Sequence, residues 1–189
     1  MKGAIIDLDG TIIDSMPYWD RLGIDYIISK GLVPKADLKE KLAPLEIKAG
    51  AIVIKEDYGL AEDVPTICQE LLAGIESVYR EKAPLLPGVM EALQQMHADG
   101  VKMALFTATT TELATAALKR TGVFGFFDCV ISTIEIGMEK SLPEAYYLVL
   151  ERLGTIPSET TVYDDREYAL EGARKAGLKA FPSLILSTD

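Results

Sequence analysis

Short apolar runs alternate with segments of helical periodicity along most of the chain, and this alternation constrains the fold more than any other feature. Each run is short enough for one buried strand, and the intervening segments repeat apolar residues at the spacing of a helix face. Strands that are regularly separated by helices form a parallel sheet with helices on both faces. We therefore predict an α/β fold with a doubly wound, Rossmann-like parallel sheet. The predicted strands are Ala4–Ile6, Val101–Phe106, Cys129–Ile131 and Thr161–Tyr163, and the predicted helices span residues 89–96, 111–120, 143–153 and 166–176.

A long stretch after the first strand departs from this alternation. Between residues 15 and 83, helical segments follow one another with no convincing strand among them. The clearest helix has Asp63 as its predicted N-cap and Pro65 in its first turn. We therefore expect an all-helical insert at residues 15–83, within a core formed by residues 1–14 and 84–189. The apolar face of that helix comprises Ile67, Leu71, Ile75 and Val78.

The balance of charge narrows the classes of partner. The chain has 189 residues, with 19 basic and 29 acidic side chains and a formal net charge of −10. Nucleic acids and anionic membrane surfaces are bound mainly by clustered Lys and Arg, so neither is an expected partner. A small anionic substrate remains compatible if positive charge is concentrated locally. The two cysteines form no CxxC pair and no apolar run approaches ~20 residues, so we expect a cytoplasmic protein. We expect it to be a monomer or a homodimer.

Two aspartates follow the first predicted strand directly. Asp7 and Asp9 are two residues apart, so in an extended segment both carboxylates face the same side, and Gly10 then allows a tight turn. Close carboxylates repel, and one can bind a cation as the anion while the other keeps a proton to donate. The pattern is also common turn chemistry, so the Asp pair alone leaves both readings open.

The second and third strands end in other polar side chains. Thr107 closes the second strand beside a helix start, where backbone N–H groups bind phosphate oxygens well. Thr109 and Glu112 form a predicted capping box for that helix. Lys140 follows the third strand, in a loop position where a lysine is usually solvated. Taken separately, these residues are better explained by capping and solvation than by a binding site.

The remaining acidic positions follow the fourth strand. Asp164 and Asp165 come directly after it, and Asp165 is a candidate N-cap of the next helix. Ahead of the preceding helix, Ser141 and Glu144 form a second predicted capping box. Open α/β sheets bind ligands at the carboxyl ends of their strands. We therefore expect the polar residues at all four strand ends to converge on one site.

The order of these residues resembles the haloacid dehalogenase-like hydrolase superfamily across essentially the whole chain. Within it, the chain is most similar to small helical-cap phosphatases of the beta-phosphoglucomutase and phosphoglycolate phosphatase group. The phrases that carry the resemblance are DLDGTIIDS, LLPGVMEALQQMHADGVKMALFTA, GVFGFFDCVIS and KSLPEAYYLVLERLG. The resemblance implies a phosphoric monoester hydrolase that acts on a small phosphorylated metabolite with Mg²⁺ as cofactor.

The resemblance also implies a role for each strand-end residue. Asp7 would attack phosphorus and form an aspartyl-phosphate, and Asp9 would protonate the leaving alcohol and then activate water. Mg²⁺ would be held by the Asp7 carboxylate, the Asp9 carbonyl and the Asp164 carboxylate. The phosphoryl group would be contacted by Thr107, Ala108 and Lys140.

Three positions depart from the pattern of the closest phosphatases. Tyr163 stands where a Glu often precedes the last motif's Asp, which puts a metal contact in doubt and makes Asp165 a candidate substitute. Ser141 replaces the common proline after the lysine. Trp19 occupies the place of the mutase branch's cap histidine, which favours a phosphatase over a mutase. Tyr18 and Trp19 could line a substrate pocket or pack the hinge of the insert, and packing is the more common role of such rings.

Several alternatives stay open. The chain could be a phosphosugar mutase, or a family member that has lost turnover and acts as a binding or signalling protein. A dehalogenase would have no task for an acid at Asp9, because halide leaves without being protonated. A response-regulator receiver places its phosphorylated aspartate on a later strand and has no helical insert. His97 is the only histidine and excludes a His-rich zinc site, and Cys129 lies in an apolar strand, which disfavours a cysteine nucleophile.

Overall fold

The computed structural model describes residues 1–43, 45 and 47–185. Within them lies a five-stranded sheet of β1 (Gly3–Ile6), β2 (Lys102–Thr107), β3 (Cys129–Ser132), β4 (Thr160–Tyr163) and β5 (Lys179–Phe181). The strand order is β3-β2-β1-β4-β5, and every pairing is parallel. The predicted α/β fold with a doubly wound parallel sheet is therefore confirmed. The α-helices are α1 (Met16–Ser29), α2 (Leu38–Leu42), α3 (Ile47–Tyr58), α4 (Val64–Ser77), α5 (Val89–Ala98), α6 (Thr111–Arg120), α7 (Thr133–Ile136), α8 (Pro143–Leu153) and α9 (Glu167–Lys175).

The chain divides into two compact units. One comprises Met1–Asp14 and Ala83–Asp189, and the other comprises Ser15–Lys82. Ala83, which the sequence interpretation assigns to the insert, belongs to the first unit. None of the described helices is long and apolar enough to span a membrane.

In the sheet-containing unit, α8 and α9 pack on one face of the sheet. Ile5, Phe106 and Val162 point toward them from three adjacent strands and are at most 2% exposed. From the helices, Tyr146 contributes the largest side chain, and its ring meets Phe106 edge-on at 5.5 Å between centroids. This dry interface fixes α8 and α9 against the strands whose carboxyl ends carry the polar residues.

The helical unit has a core of its own. Its buried residues come from α1, α2, α3 and α4, and the predicted N-cap of α4 is confirmed, since the Asp63 carboxylate accepts from the Thr66 N–H at 2.9 Å. A π-helical turn over Val78–Lys82 follows α4. The buried core residues are Tyr26, Ile27, Leu38, Ala51, Ile54, Ile67 and Leu71.

Candidate active site

The carboxyl ends of β1 and β4 bring two aspartates side by side. Ile6 pairs with Tyr163 in the sheet, so the next residues, Asp7 and Asp164, leave the two strands at the same level. The Asp7 N–H donates to the Tyr163 carbonyl at 2.9 Å and extends the ladder by one bond. Asp7 is 7% exposed and Asp164 is 2% exposed. The sheet register therefore creates a buried pair of acidic side chains.

Lys140 supplies a positive charge to this pair. It follows α7 in a loop, yet only 4% of its surface is exposed. Its Nζ donates to Oδ1 of Asp7 and, at 2.7 Å, to Oδ2 of Asp164. The same Nζ lies 5.4 Å from the centre of the Phe106 ring. Three charged residues, two at strand ends and one in the loop after α7, are thus in direct contact. Lys140 is buried here, although a lysine in a loop is usually solvated.

Burial and ion pairing act in opposite directions within this trio. Desolvation by burial raises the pKa of the Asp7 carboxyl to about 7; Lys140 opposes the rise, whereas Asp164 and Asp9 add to it. Burial by itself would lower the pKa of the Lys140 amine, but its ion pairs with Asp7 and Asp164 outweigh this and raise that pKa to about 12. Lys140 therefore stays charged at neutral pH. An additional cation beside Asp7 would favour the ionised carboxylate, which is the nucleophilic form.

Two threonines connect the ends of β1 and β2. The Thr109 hydroxyl donates to Oδ2 of Asp9 at 3.2 Å, and the Thr109 N–H donates to Oγ1 of Thr107 at 3.0 Å. Thr107 is fully buried at the end of β2, and the next residue, Ala108, is exposed. Asp9 is thereby held by a neighbour that the sequence interpretation did not include in the site.

The capping box predicted for Thr109 and Glu112 is wrong. The N-cap of α6 is Thr110, whose Oγ1 accepts from the Leu113 N–H at 3.4 Å. The helix starts one residue later than the motif implies, and this shift releases Thr109 to contact Asp9. The sequence Thr-Thr-Thr offers three equivalent candidates for one cap, so only the tertiary structure decides among them.

The capping predictions for α8 and α9 are also wrong. The N-cap of α8 is Leu142, and the Ser141 hydroxyl instead contacts Oε2 of Glu139 at 3.3 Å. The N-cap of α9 is Arg166 and not Asp165. Its N–H donates to Oδ1 of Asp164 at 3.0 Å, so the buried aspartate holds both Lys140 and the start of α9.

Three carboxylates form a group that could hold a metal ion. One oxygen each from Asp7, Asp164 and Asp165 lies within 4.8 Å of the other two. The Asp165 side chain is 27% exposed, and burial raises the pKa of its carboxyl. A compact set of carboxylate oxygens is the donor chemistry that hard divalent cations prefer. Asp165 is absent from the ligand set that the family resemblance implies, although the Asp-Asp pair in the sequence already pointed to it as a substitute.

Tyr163, the residue that replaces the common Glu, takes part in a different set of contacts. Its ring stacks on Phe181 of the neighbouring strand, with 6.2 Å between centroids, and its hydroxyl lies 3.8 Å from Sδ of Met1. A phenol at this position adds no carboxylate to the group formed by Asp7, Asp164 and Asp165.

Other residues singled out in the sequence lie in structural contacts. Trp19 donates its indole N–H to the Tyr79 hydroxyl at 3.3 Å, which supports a packing role, and Tyr18 is half-buried. His97 is exposed in the last turn of α5 and meets Phe126 edge-on at 5.5 Å. Cys129 is half-buried in β3, and burial raises the pKa of its thiol, which disfavours a nucleophilic thiolate.

Known proteins are similar in sequence to this chain over nearly its whole length. The relatives include a phosphorylated carbohydrates phosphatase from Thermotoga maritima, 26% identical, with 100% of this chain and 88% of the relative aligned. Another is the fructose-1-phosphate phosphatase YqaB from Escherichia coli, 26% identical over 97% of each chain. Both names agree with the predicted class of phosphoric monoester hydrolase.

Solved structures agree with the fold. A Thermotoga maritima protein assigned to the beta-phosphoglucomutases matches with a TM-score of 0.89 and 26% identity, covering 100% of this chain and 88% of the other. CbbY from Rhodobacter sphaeroides, solved with phosphate, matches with a TM-score of 0.72 and 19% identity, covering 95% of this chain and 84% of the other. The second likeness concerns the fold alone.

The sequence model of the haloacid dehalogenase-like hydrolases matches residues 1–177. That range includes the carboxyl ends of β1 to β4, together with the helical unit. The chain therefore belongs to the haloacid dehalogenase-like hydrolase family.

Proposed function

We propose that the protein is a Mg²⁺-dependent phosphatase that hydrolyses a small phosphorylated metabolite through an aspartyl-phosphate on Asp7. The observation that carries this proposal is the buried contact of Lys140 with both Asp7 and Asp164 at the carboxyl ends of parallel strands. Two buried carboxylates and one amine in this arrangement are costly for stability, and such groups are concentrated where chemistry requires them.

Asp7 is the proposed nucleophile. One of its oxygens would attack phosphorus, and the bond from phosphorus to the leaving alcohol oxygen would break. A carboxylate that approaches a phosphate meets like charge, so the step needs positive charge on both partners. Lys140 supplies one such charge, and its amine is held in place by Asp164 at 2.7 Å.

Asp9 is the proposed acid and base. It would donate a proton to the leaving oxygen as the ester bond breaks, and then take a proton from the water that attacks the aspartyl-phosphate. The Thr109 hydroxyl donates to Oδ2 of Asp9 at 3.2 Å and so orients the Asp9 carboxyl group. Thr109 is accordingly a positioning residue for Asp9.

Thr107 and Ala108 are the proposed phosphate contacts. Thr107 Oγ1 already accepts from the Thr109 N–H, so its own O–H is oriented away from that amide. The exposed Ala108 follows at once and offers its backbone N–H. A hydroxyl and an amide at a strand end bind phosphate oxygens without adding charge.

The residues present fit a divalent cation. Asp7, Asp164 and Asp165 would hold it with their carboxylates, since these already lie within 4.8 Å of one another, and the Asp9 carbonyl is a further proposed ligand. When bound, Mg²⁺ would neutralise charge on the phosphate and favour the ionised form of Asp7. Asp165 would supply the carboxylate that a Glu commonly supplies at the position of Tyr163.

The proposed substrate is a phosphorylated sugar or a similar small phosphate ester. The names of the two phosphatase relatives, which refer to phosphorylated carbohydrates and to fructose 1-phosphate, support this class. We prefer a phosphatase to a mutase, which would return the phosphoryl group to the substrate. Trp19 stands where the mutase branch has a cap histidine, but its side chain has no group that accepts a proton, and its N–H is bonded to Tyr79.

A panel of small phosphate esters, assayed with and without Mg²⁺, tests this function. We expect the wild type to release phosphate from at least one sugar phosphate only when Mg²⁺ is present. Asp7→Asn should abolish release, because an amide cannot form the acyl-phosphate, whereas the exposed Asp99→Asn should behave like the wild type. Equal rates in wild type and Asp7→Asn, or release that needs no divalent cation, would contradict the proposal.

A further inference from the structure

Gly172 lies in α9 at a point where the helix touches the loop that carries Lys140. A Cβ atom at this position would overlap the carbonyl oxygen of Lys140 and lie 3.1 Å from its carbonyl carbon. It would also lie 3.0 Å from the carbonyl carbon of Ser141. All three atoms belong to the backbone, so a side chain at residue 172 cannot be accommodated by turning a flexible neighbour.

The need for glycine here is spatial and not conformational. Nine glycines of the described chain have positive φ, and Gly172 is not among them, since it lies within the helix Glu167–Lys175. Glycine in a helix interior is less favourable than alanine. Gly172, a residue type that is unfavourable inside a helix, therefore stands at the point where α9 comes close to the Lys140 backbone.

The Lys140 backbone at this contact carries the side chain whose amine lies in the site. The side chain runs from the loop to a buried position between Asp7 and Asp164, and the Phe106 ring lies 5.4 Å from Nζ. Because the amine is bonded to carboxylates from two different strands, a small displacement of its backbone would weaken both contacts.

A hydrogen bond fixes α9 on the other side of this contact. The Tyr146 hydroxyl on α8 donates to the Ala169 carbonyl on α9 at 2.7 Å, and this bond is buried. Ala169 is one helical turn before Gly172. The two helices that flank the Lys140 loop are thus joined directly beside the point where the loop meets α9.

We propose that Gly172 is a positioning residue for Lys140, because its lack of a side chain lets the loop backbone sit against α9 and brings the amine to Asp7 and Asp164. The catalytic part of this inference rests on the proposed function, in which Lys140 neutralises the transferred phosphate. The positional part concerns the fold alone and can be measured without a substrate.

The test compares three variants of the whole chain. Gly172→Ala adds the forbidden Cβ, and Tyr146→Phe is a milder change that removes only the bond to Ala169. Gly50→Ala in α3 is the matched control, since its Cβ would meet only the Leu42 side chain at an ordinary 3.5 Å. Each protein is acetylated with N-hydroxysuccinimide acetate, and the extent of modification at Lys140 is measured by peptide mass spectrometry relative to Lys2, whose side chain is 72% exposed.

We expect Lys140 to be protected in the wild type and in Gly50→Ala, and to be acetylated faster in Gly172→Ala, with a smaller increase in Tyr146→Phe. For hydrolysis of p-nitrophenyl phosphate, Gly172→Ala should lower kcat by at least about tenfold with a smaller change in KM, because Lys140 acts mainly on charge in the transition state. Gly50→Ala should keep the wild-type kcat and melt at a higher temperature.

Each outcome decides the proposal. A folded Gly172→Ala protein with wild-type protection of Lys140 and wild-type kcat would overturn it. If Gly172→Ala does not fold, Tyr146→Phe decides, with increased acetylation of Lys140 in a native circular dichroism background supporting the proposal and unchanged acetylation refuting it. A wild type without phosphatase activity would refute the proposed function, while the acetylation rates would still decide the positional claim.

Discussion

At the scale of single residues, the site depends on charges that are stable only together. Asp7, Lys140 and Asp164 are each at least nine-tenths buried and are bonded to one another. Removing one member of a buried ion cluster leaves the others without compensation, which costs much more than the intact cluster contributes. The arrangement therefore makes stability depend on the same three side chains to which we assign the chemistry.

Lys140→Met tests this dependence, since it keeps the apolar length of the side chain and removes the charge. At pH 8 without divalent cations, we expect its free energy of unfolding to fall by about 3–5 kcal/mol, because two buried carboxylates lose their partner. The loss should be smaller at pH 5, below the raised pKa of Asp7 at about 7, where that carboxyl holds a proton. Urea unfolding followed by circular dichroism measures both values.

The control for this variant is Lys2→Met. Lys2 forms an exposed ion pair with Glu159 at 2.8 Å, and such pairs contribute at most about 1 kcal/mol. If Lys140→Met were as stable as Lys2→Met at pH 8, the buried trio would not hold the strand ends as described.

Asp165→Asn tests the ligand that the sequence offers in place of the common Glu. Its carboxylate lies within 4.8 Å of those of Asp7 and Asp164, so its loss should weaken Mg²⁺ binding by about tenfold or more. Isothermal titration calorimetry of the cation alone gives the dissociation constant, with Asp99→Asn as the matched control. An unchanged dissociation constant in Asp165→Asn would exclude Asp165 as a ligand.

At the scale of helices and strands, the sequence predicts the regular parts of the fold well. Buried parallel strands produce continuous apolar runs, and amphipathic helices produce a period that a short window already contains, so β1 to β4 and α4 agree with prediction to within one or two residues at most ends. β5 is missed because Lys179–Phe181 is largely exposed and begins with a lysine, so it forms no buried apolar run, and its pairing with β4 is what makes it a strand.

Helix ends are predicted less well, for a related reason. The capping boxes at Thr109 and Ser141 each satisfy a local motif, yet the helices start at neighbouring residues. A cap is fixed to one residue by contacts with the rest of the chain, such as that of Thr109 with Asp9. Local sequence indicates that a cap exists, and the tertiary structure decides which residue provides it.

Within the helical unit, an ion cluster formed by Lys30, Glu62 and Glu70 predicts a pH dependence. Lys30 bonds to Glu62 and Glu70, and these bonds hold the pKa of both carboxyls below the usual range. Since a lowered pKa in the folded state stabilises the fold above the normal carboxyl range, this contribution is lost as pH falls through the lowered values. Tyr26 also donates to Glu70, at 2.7 Å.

Lys30→Met should raise the pKa of both carboxyls toward that of free glutamate. NMR titration of the Glu side-chain carboxyl carbons measures the shift, and acid unfolding should begin at a higher pH. Lys39→Met is the control, because Lys39 pairs with the exposed Asp20 and not with either glutamate. Unchanged Glu62 and Glu70 titrations in Lys30→Met would show that these bonds do not persist in solution.

At the scale of the whole molecule, the net charge of −10 takes on a more specific meaning. Part of the acidity is concentrated at Asp7, Asp164 and Asp165, where Lys140 and a bound divalent cation would offset the local negative charge. An acidic chain can thus bind a small phosphate while it repels extended polyanions. The sequence predicts this concentration through the strand ends, because parallel strands bring their carboxyl ends to one edge.

At this scale, the sequence does not predict how closely segments that are distant along the chain approach one another. Gly172 shows no motif, and its contact with the Lys140 backbone depends on the packing of α9 on the sheet. The contact between Thr109 and Asp9 spans about a hundred residues and depends on the pairing of β1 with β2. Both are consequences of the assembled sheet-containing unit and not of any local segment.

In the proposed reaction the phosphoryl group passes through Asp7, so trapping the aspartyl-phosphate shows whether Asp7 is the nucleophile. The trap uses Asp9→Asn with p-nitrophenyl phosphate, whose leaving group needs no proton, so that Asp7 is phosphorylated while its hydrolysis lacks a base. Acid quenching, borohydride reduction and peptide mass spectrometry follow. We predict a burst of p-nitrophenolate stoichiometric with the enzyme and conversion of Asp7 alone to homoserine. A burst without modification of Asp7, or modification of another acid, would contradict the account.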